Sequence, residues 1–435
     1  MNKRMLRCLA LFSGISICSF QVIAQVSKST INDFLNDSAV KTGHAGISIF
    51  EPATGKYLYN YNAEKNFLPS SNTKLFTLYA GMKYLGDSLV GIRYNKLPDS
   101  SIEVYASGDP TFLHPDFKSQ PVFDFLVHQN EIIFNQNLKI NSYGQGWSWD
   151  DYEELFMCHR SEFPMYGNTI ELKWIRKDSI QVVPEYFRKN MITWLEPDSG
   201  LYVKKLLGKE DLYISNGHKK NISIPFDNDL PTAIDLLADT LKNKKIFHFN
   251  EAIAASNGLP HGIIHSRPVD SLFRPMMFNS DNFFAEQTLL MVSNEKLGYM
   301  SDEAMIDTLL KTDLKGLPTG PRWVDGSGLS RYNLFSPKDF VYILVKLKNE
   351  FGQERMNRIL PAGGQGTLKG YYGGGGDYIH AKTGSMSNNV SLSGYLITAK
   401  KRLLVFSVII NNFSGSGTSG RRAIERLIEQ VRLSN

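Results

Sequence analysis

Cysteine is nearly missing from this chain, with three in 435 residues. Cys8 and Cys18 fall within the first two dozen residues and Cys158 stands alone after them, so no intramolecular disulfide is expected once that leader is removed. Charge of one sign is also missing. The formal net charge is +5, and taking away Lys3, Arg4 and Arg7 of a leader that carries no Asp or Glu leaves +2. That balance excludes the concentrated basic face that nucleic-acid binding needs. Beyond the leader there is no apolar run long enough to span a bilayer, and there is no internal repeat. The glycine run Gly373-Gly374-Gly375-Gly376 lacks the following Lys-Ser/Thr of a phosphate loop. Clustered metal ligands are missing as well. His261 and His265 have helical spacing, but Pro260 and Gly262 oppose a helix and no acid joins them, so neither metal nor cofactor is expected. Cys158 reads as a small, partly buried side chain rather than a nucleophile, since adjacency to His159 in sequence does not make a dyad in space.

What is present begins with a secretory leader. A basic start through Arg7 precedes an apolar stretch from Cys8 to Ala24, and Val22 and Ala24 place small residues at −3 and −1 before Gln25. Residues 1–24 are therefore expected to be a cleaved signal peptide. A lipoprotein site at Cys18 fits poorly, because Ile17 occupies a small-residue position. The chain that remains is expected to be exported, periplasmic and soluble, with no stable membrane span. Its oligomeric state is not legible.

The full chain, 42% hydrophobic and 21% charged, has the composition of a folded protein with room for about two to three domains. Ile47 and Ile49 alternate on one strand-like arm and Tyr57, Tyr59 and Tyr61 on another, with residues 51–55 as the turn. Residues 71–85 carry apolar side chains at helical spacing up to Gly86. Residues 390–398 and 403–410 read as a hairpin turning at 399–402, and 421–431 as a closing helix. The expected fold is α/β (α+β): an antiparallel sheet built from both termini and flanked by helices (25–95 and 263–435), interrupted by a mostly β insertion at 96–262.

Ser-x-x-Lys at the start of a helix places an amine beside a hydroxyl on one face. The amine can serve as base only if burial or a second cation lowers its pKa. The motif occurs three times here, at Ser38/Lys41, Ser71/Lys74 and Ser293/Lys296. Lys-Thr-Gly occurs at Lys41 and Lys382, and Ser-x-Asn at Ser70, Ser280 and Ser387. Context selects among them. Only Ser71 follows a proline-containing entry and starts a strongly apolar helix. Ser38 sits at a helix end, and Ser293 in a helix tail. Ser280-Asp281-Asn282 lies in a loop before an apolar run, and Lys382-Thr383-Gly384-Ser385 leads into the strand pair. The surviving set is Ser71/Lys74, Ser280/Asn282 and Lys382-Thr383-Gly384, the trio of the penicillin-recognising serine enzymes.

Three further stretches, Ser107–Phe112, Gly146–Tyr152 and Asp325–Arg331, together with 360–368, are hard to explain by core packing alone. With the trio they resemble the class C low-molecular-mass penicillin-binding proteins, the D-alanyl-D-alanine carboxypeptidase/endopeptidase family, from about residue 45 to 412. The resemblance implies a penicillin-binding-protein/β-lactamase-like transpeptidase domain with a large insertion between the first two motifs. It implies that Ser71 attacks the penultimate D-alanine of a peptidoglycan stem peptide and Lys74 takes the proton. Ser280 would relay a proton to the leaving amine, and Asn282 would hold the substrate amide and Lys74. Lys382 would keep Lys74 neutral and, with Thr383, receive the carboxylate. Gly384 and Ser385 would bind substrate along with Thr383, and the N–H groups of Ser71 and Ser385 would form the oxyanion hole. Asp151, Phe156 and Arg331 would read the third stem residue, and β-lactams would be covalent inhibitors. Ser387 and the stretch 161–166 depart from the family pattern, which bears on substrate preference. Two other readings remain. One is a weak β-lactamase, for which the class A water-positioning Glu-x-x-x-Asn is not read between Ser71 and Ser280. The other is an inert peptidoglycan-binding scaffold, against which the intact proton-transfer set speaks.

Overall fold

The computed structural model describes residues 26–135, 140–176, 179–194, 203–209, 211–215, 221–242, 246–250, 260–373 and 375–435. The expected signal peptide, with Cys8 and Cys18, and Gly374 of the glycine run lie outside the described residues.

Both chain ends build one five-stranded antiparallel sheet. Its strand order is Ile379–Met386, Asn389–Ile397, Leu403–Asn411, His44–Glu51, Lys56–Tyr61. The two expected hairpins are both present in it. Alternation along Leu403–Asn411 shows why the sheet is covered on both faces. Leu404, Phe406, Val408 and Ile410 enter one core, while Val405 and Ile409 enter the other. The first core is closed by the helices Lys28–Leu35 and Gly417–Ser434, through Ile31, Phe34, Ile424, Leu427 and Ile428. The second holds the helices Lys74–Tyr84, Asn282–Leu297 and Pro337–Phe351.

The Lys74–Tyr84 helix is buried along nearly its whole length, so it lacks a polar face. Phe76, fully buried, packs against Trp323, Phe335 and Phe340 at ring-centroid distances of 5.7, 4.6 and 5.5 Å. Phe76→Ala should cost about 3–5 kcal/mol of stability. Calorimetry is expected to show the loss as a lowered unfolding temperature for the part of the chain that carries the sheet.

The α-helix begins three residues later than the spacing suggests, because Ser70–Thr73 is a 3₁₀ turn. Ser70 has φ of +51°, and Thr73 Oγ1 donates to its carbonyl at 2.9 Å, so the chain enters the helix through a strained corner. The closing helix, Gly417–Ser434, is longer than expected at both ends, with Ser416 as its N-cap.

Strands Ser88–Lys96 and Gly262–Pro268 pair antiparallel with one another, and between them the chain forms a second body of structure. Its five-stranded sheet runs Ile246–Asn250, Glu131–Asn135, Ser101–Ala106, Ser88–Lys96, Gly262–Pro268, beside two three-stranded sheets. Ile102, Val104, Ile132 and Phe134 pack there with Leu236 and Leu237 of the helix Leu230–Thr240. The antiparallel terminal sheet with its flanking helices, beside sheets of mixed strand direction in the second body, is the expected α+β class. Among the described residues no helix is long and apolar enough to cross a membrane.

Candidate active site

Ser71 sits in the 3₁₀ turn and Lys74 opens the α-helix, so the (i, i+3) spacing brings Lys74 Nζ to 3.0 Å from Ser71 Oγ. Two further acceptors hold the amine: Asn282 Oδ1 at 2.6 Å and the Ser327 carbonyl at 2.9 Å. A neutral lysine amine has two N–H bonds and one lone pair. The two carbonyl oxygens accept the two N–H bonds, which leaves the lone pair facing the Ser71 hydroxyl. This arrangement can take the hydroxyl proton without moving a heavy atom.

Asn282 is delivered by a second strained corner. Ser280 has φ of +61° between the helices Asp270–Phe278 and Asn282–Leu297, and Asp281 caps the latter by accepting from the Phe284 N–H. Asn282 Nδ2 donates in turn to the Phe156 carbonyl at 2.9 Å. Lys382, from the edge strand Ile379–Met386, donates to Ser280 Oγ at 2.8 Å and to the Thr383 carbonyl at 2.7 Å. The strand lies against the Ser70–Thr73 turn because residue 384 is glycine. A Cβ there would fall 2.2 Å from Ser391 Oγ and 2.6 Å from the Pro69 carbonyl. Beneath the turn, Asn72 Nδ2 donates to Ser393 Oγ, which is 2.8 Å from Ser407 Oγ, pinning the turn to the middle of the sheet.

Both lysines are fully buried. Burial lowers Lys74 to about 8, against the opposing pull of the Asp281, Glu286 and Asp325 carboxylates. Burial also holds Lys382 well below the ordinary lysine range, with Lys74 and then Arg421 adding to the effect. Burial is the first cause for both lysines, and the mutual repulsion of the two amines acts in the same direction. Arg421, from the closing helix, also donates to Ser385 Oγ at 2.8 Å. No motif announced Arg421.

The stretches beyond the trio hold the site together. Asp325 accepts from the Gly328 N–H, the Ser330 N–H, Trp147 Nε1 and Asn333 Nδ2, all at 2.6–2.9 Å. It thereby ties the tryptophan stretch to the loop that presents the Ser327 carbonyl. Gln287 Nε2 donates to the Gly108 carbonyl and to the Ser161 carbonyl. The stretch 161–166 that departs from the family pattern is mostly buried: Ser161 meets Gln287 of the Asn282–Leu297 helix, while Phe163 and Met165 pack in the core of the second body. Gly328 has φ of +83°, and a Cβ on it would lie 2.0 Å from the Ser70 carbonyl. Gly328→Ala is expected to lose about 2–4 kcal/mol of stability. By displacing the corner before Ser71 it should also slow β-lactam acylation roughly 10²-fold, as measured by stopped-flow.

Asp151 is half-buried in a 3₁₀ turn, and Phe156 and Arg331 are exposed, with Arg331 Nε donating to Ser148 Oγ at 3.3 Å. The Arg331 N–H donates to the Gly146 carbonyl, so the tryptophan stretch and the Asp325 loop lie side by side. The discarded matches behave as expected. Ser38 and Lys41 are exposed beyond the first helix, and Ser293 Oγ donates to the Tyr299 carbonyl. Cys158 is fully rather than partly buried. Burial pushes its thiol far up, which removes it as a nucleophile. His261 and His265 are exposed around the strand Gly262–Pro268. One reading is corrected: Glu-x-x-x-Asn spacing does occur between Ser71 and Ser280, at Glu131–Asn135. It forms a strand inside the second body's sheet, paired on both sides, and not a loop over the nucleophile.

A serine hydroxyl faced by a buried, hydrogen-bonded amine, with a second buried lysine on the adjoining strand, defines a serine acyl-transfer centre. The D-Ala-D-Ala carboxypeptidase 3 (S13) family model matches residues 27–431, and the chain belongs to that family of peptidases. The D-alanyl-D-alanine carboxypeptidase DacB of Haemophilus influenzae is 30% identical over 403 residues, which is 82% of each chain. The D-alanyl-D-alanine carboxypeptidase of Actinomadura sp. is 23% identical, over 89% of this chain and 81% of its own. In fold, the crystal structure of penicillin-binding protein 4 from Haemophilus influenzae superposes with a TM-score of 0.73. It does so at 19% identity, covering 92% of this chain and 98% of that one. The expected kinship, fold class and peptidase class are met.

Proposed function

We propose that this chain removes the terminal D-alanine of peptidoglycan stem peptides through an acyl-enzyme on Ser71. The two carbonyl acceptors that seat Lys74 carry the reading, since they leave its lone pair aimed at the Ser71 hydroxyl. Ser71 Oγ attacks the carbonyl of the penultimate D-alanine while Lys74 takes the hydroxyl proton. The N–H groups of Ser71 and Ser385 receive the oxyanion. The C–N bond then breaks, and the proton passes through Ser280 to the leaving amine. Water opens the ester, releasing the shortened peptide and restoring the hydroxyl. The substrate carboxylate, arriving at Lys382 and Thr383, favours a proton on Lys382, and that proton in turn disfavours charge on Lys74. A β-lactam follows the same first step, but its leaving nitrogen stays tethered and the ester persists.

Asp151, Phe156 and Arg331 are the side chains we assign to the third stem residue, an acid and a guanidinium suiting an amino-acid end. We assign 25–95 and 263–435 to the acyl-transfer domain and 96–262 to an accessory insertion. The basic, then apolar, leader 1–24 supports export to the periplasm.

The active amine is the neutral one, so acylation should rise about tenfold per pH unit from acid and level off near pH 8. Benzylpenicillin followed by intact-mass measurement tests the first step. D-alanine release from a stem pentapeptide, against cleavage of a crosslinked dimer, separates carboxypeptidase from endopeptidase. A folded protein that forms no adduct and releases no D-alanine would favour the scaffold. Rapid drug turnover without an adduct would favour a β-lactamase.

A further inference from the structure

Behind the Ser327 carbonyl lies a buried charged network that the acyl-transfer steps leave unused. Glu286, one turn after Asn282 on the same helix, is 1% exposed. Its Oε1 accepts the Ser327 N–H at 2.7 Å, and the carbonyl of the same residue accepts from Lys74 Nζ at 2.9 Å. Its Oε2 lies 3.4 Å from Arg160 Nη1, which also pairs with Asp302 at 2.5 Å. Arg160 lies in the inserted segment, directly before the stretch 161–166. It donates through Nε to the Asn141 carbonyl and through Nη2 to the Tyr143 carbonyl, and lies 5.6 Å from the centre of the Trp147 ring.

We infer that Glu286 is a positioning residue: held by Arg160 and acting through the Ser327 peptide, its carboxylate sets the pH at which Lys74 becomes free to take the Ser71 proton. The inference rests on the acyl-enzyme reading above. Three acids, Glu286, Asp302 and Asp325, surround one guanidinium. Asp325 accepts four hydrogen bonds and Asp302 reaches the surface, whereas Glu286 has one backbone donor and a long contact to a shared arginine. The charged groups facing Lys74 are Asp281 and Glu286 from the Asn282 helix and its cap, Asp325 from the adjoining loop, and Lys382 from the edge strand. Those facing Glu286 are Arg160, Asp325 and Asp302, with Lys74 across the Ser327 peptide. Burial first, and then Asp325, push the Glu286 carboxyl up to about 7, with Arg160 opposing. An ionised Glu286 favours charge on Lys74, so neutralising it should free the amine at lower pH. Because Arg160 also holds the loop at 141–143, the same contact joins the tryptophan stretch to the base.

The test is the pH profile of the benzylpenicillin acylation rate in Glu286→Gln, whose amide oxygen still accepts the Ser327 N–H. The acid limb should move down by about half a pH unit or more. Glu286→Asp keeps the charge, and is expected to lower the rate while leaving the limb in place. A slower Gln variant with an unmoved limb would reduce Glu286 to a structural role and overturn the inference. Should the Gln variant not fold, Asp302→Asn decides. Arg160 then serves Glu286 alone, the carboxylate ionises at lower pH, and the limb should rise and steepen; no change, or a fall, overturns the inference. Absence of any adduct on folded wild-type protein would instead sink the acyl-enzyme reading itself.

Discussion

Ser71→Ala should abolish both the benzylpenicillin adduct and D-alanine release while leaving the fold intact. Turnover is expected to fall about 10⁴–10⁶-fold, because the covalent step has no second hydroxyl to use. Ser71 is only half-buried, and its Oγ makes one hydrogen bond, to Lys74. Lys74 keeps its two carbonyl acceptors without it, so the stability change should stay within about 1 kcal/mol. Intact mass with and without drug, beside a thermal melt, reads both quantities. A drug-sized adduct persisting on the alanine variant would place the nucleophile elsewhere.

Lys74→Met is expected to give the second-largest effect. Methionine matches the lysine in length and apolarity but offers no lone pair to Ser71 O–H. Loss of the general base should slow acylation about 10²–10⁴-fold. The profile carries the sharper signature. Lys74 is lowered to about 8, so in the wild-type protein the limb below pH 8 follows its deprotonation. The methionine variant should lose that limb, and its residual rate should be nearly flat from pH 6 to 8. A residual rate still rising tenfold per unit would point to Lys382 as the titrating base.

The three motifs were legible because their chemistry demands residue types at short fixed spacing. Ser71/Lys74 needs one helical turn, Ser280/Asn282 one helix entry, and Lys382-Thr383-Gly384 a strand edge. The hairpins were legible for a similar reason, since alternation along Ile47–Ile49 and 403–410 is local. The helix start was misplaced by three residues because the deviation lies in backbone dihedrals. The φ of +51° at Ser70 leaves no compositional mark, and serine is not the residue that normally signals it. The Glu131–Asn135 spacing carried no information about function, because a strand and a water-positioning loop can share it.

By itself the sequence determined the candidate nucleophile, its base and the two supporting motifs, together with a sheet made from both termini. Each of these rests on neighbours within a few residues, or on an apolar period that only one face of a sheet or helix can satisfy. Tertiary structure alone decided which groups meet across long separations. It brought the Ser327 carbonyl to Lys74, Arg421 to Ser385, and Arg160 to Glu286. Those contacts join residues from 36 to 253 positions apart. No periodicity records them, because they are fixed by how separate elements of the fold pack and by which charges burial forces to share a partner.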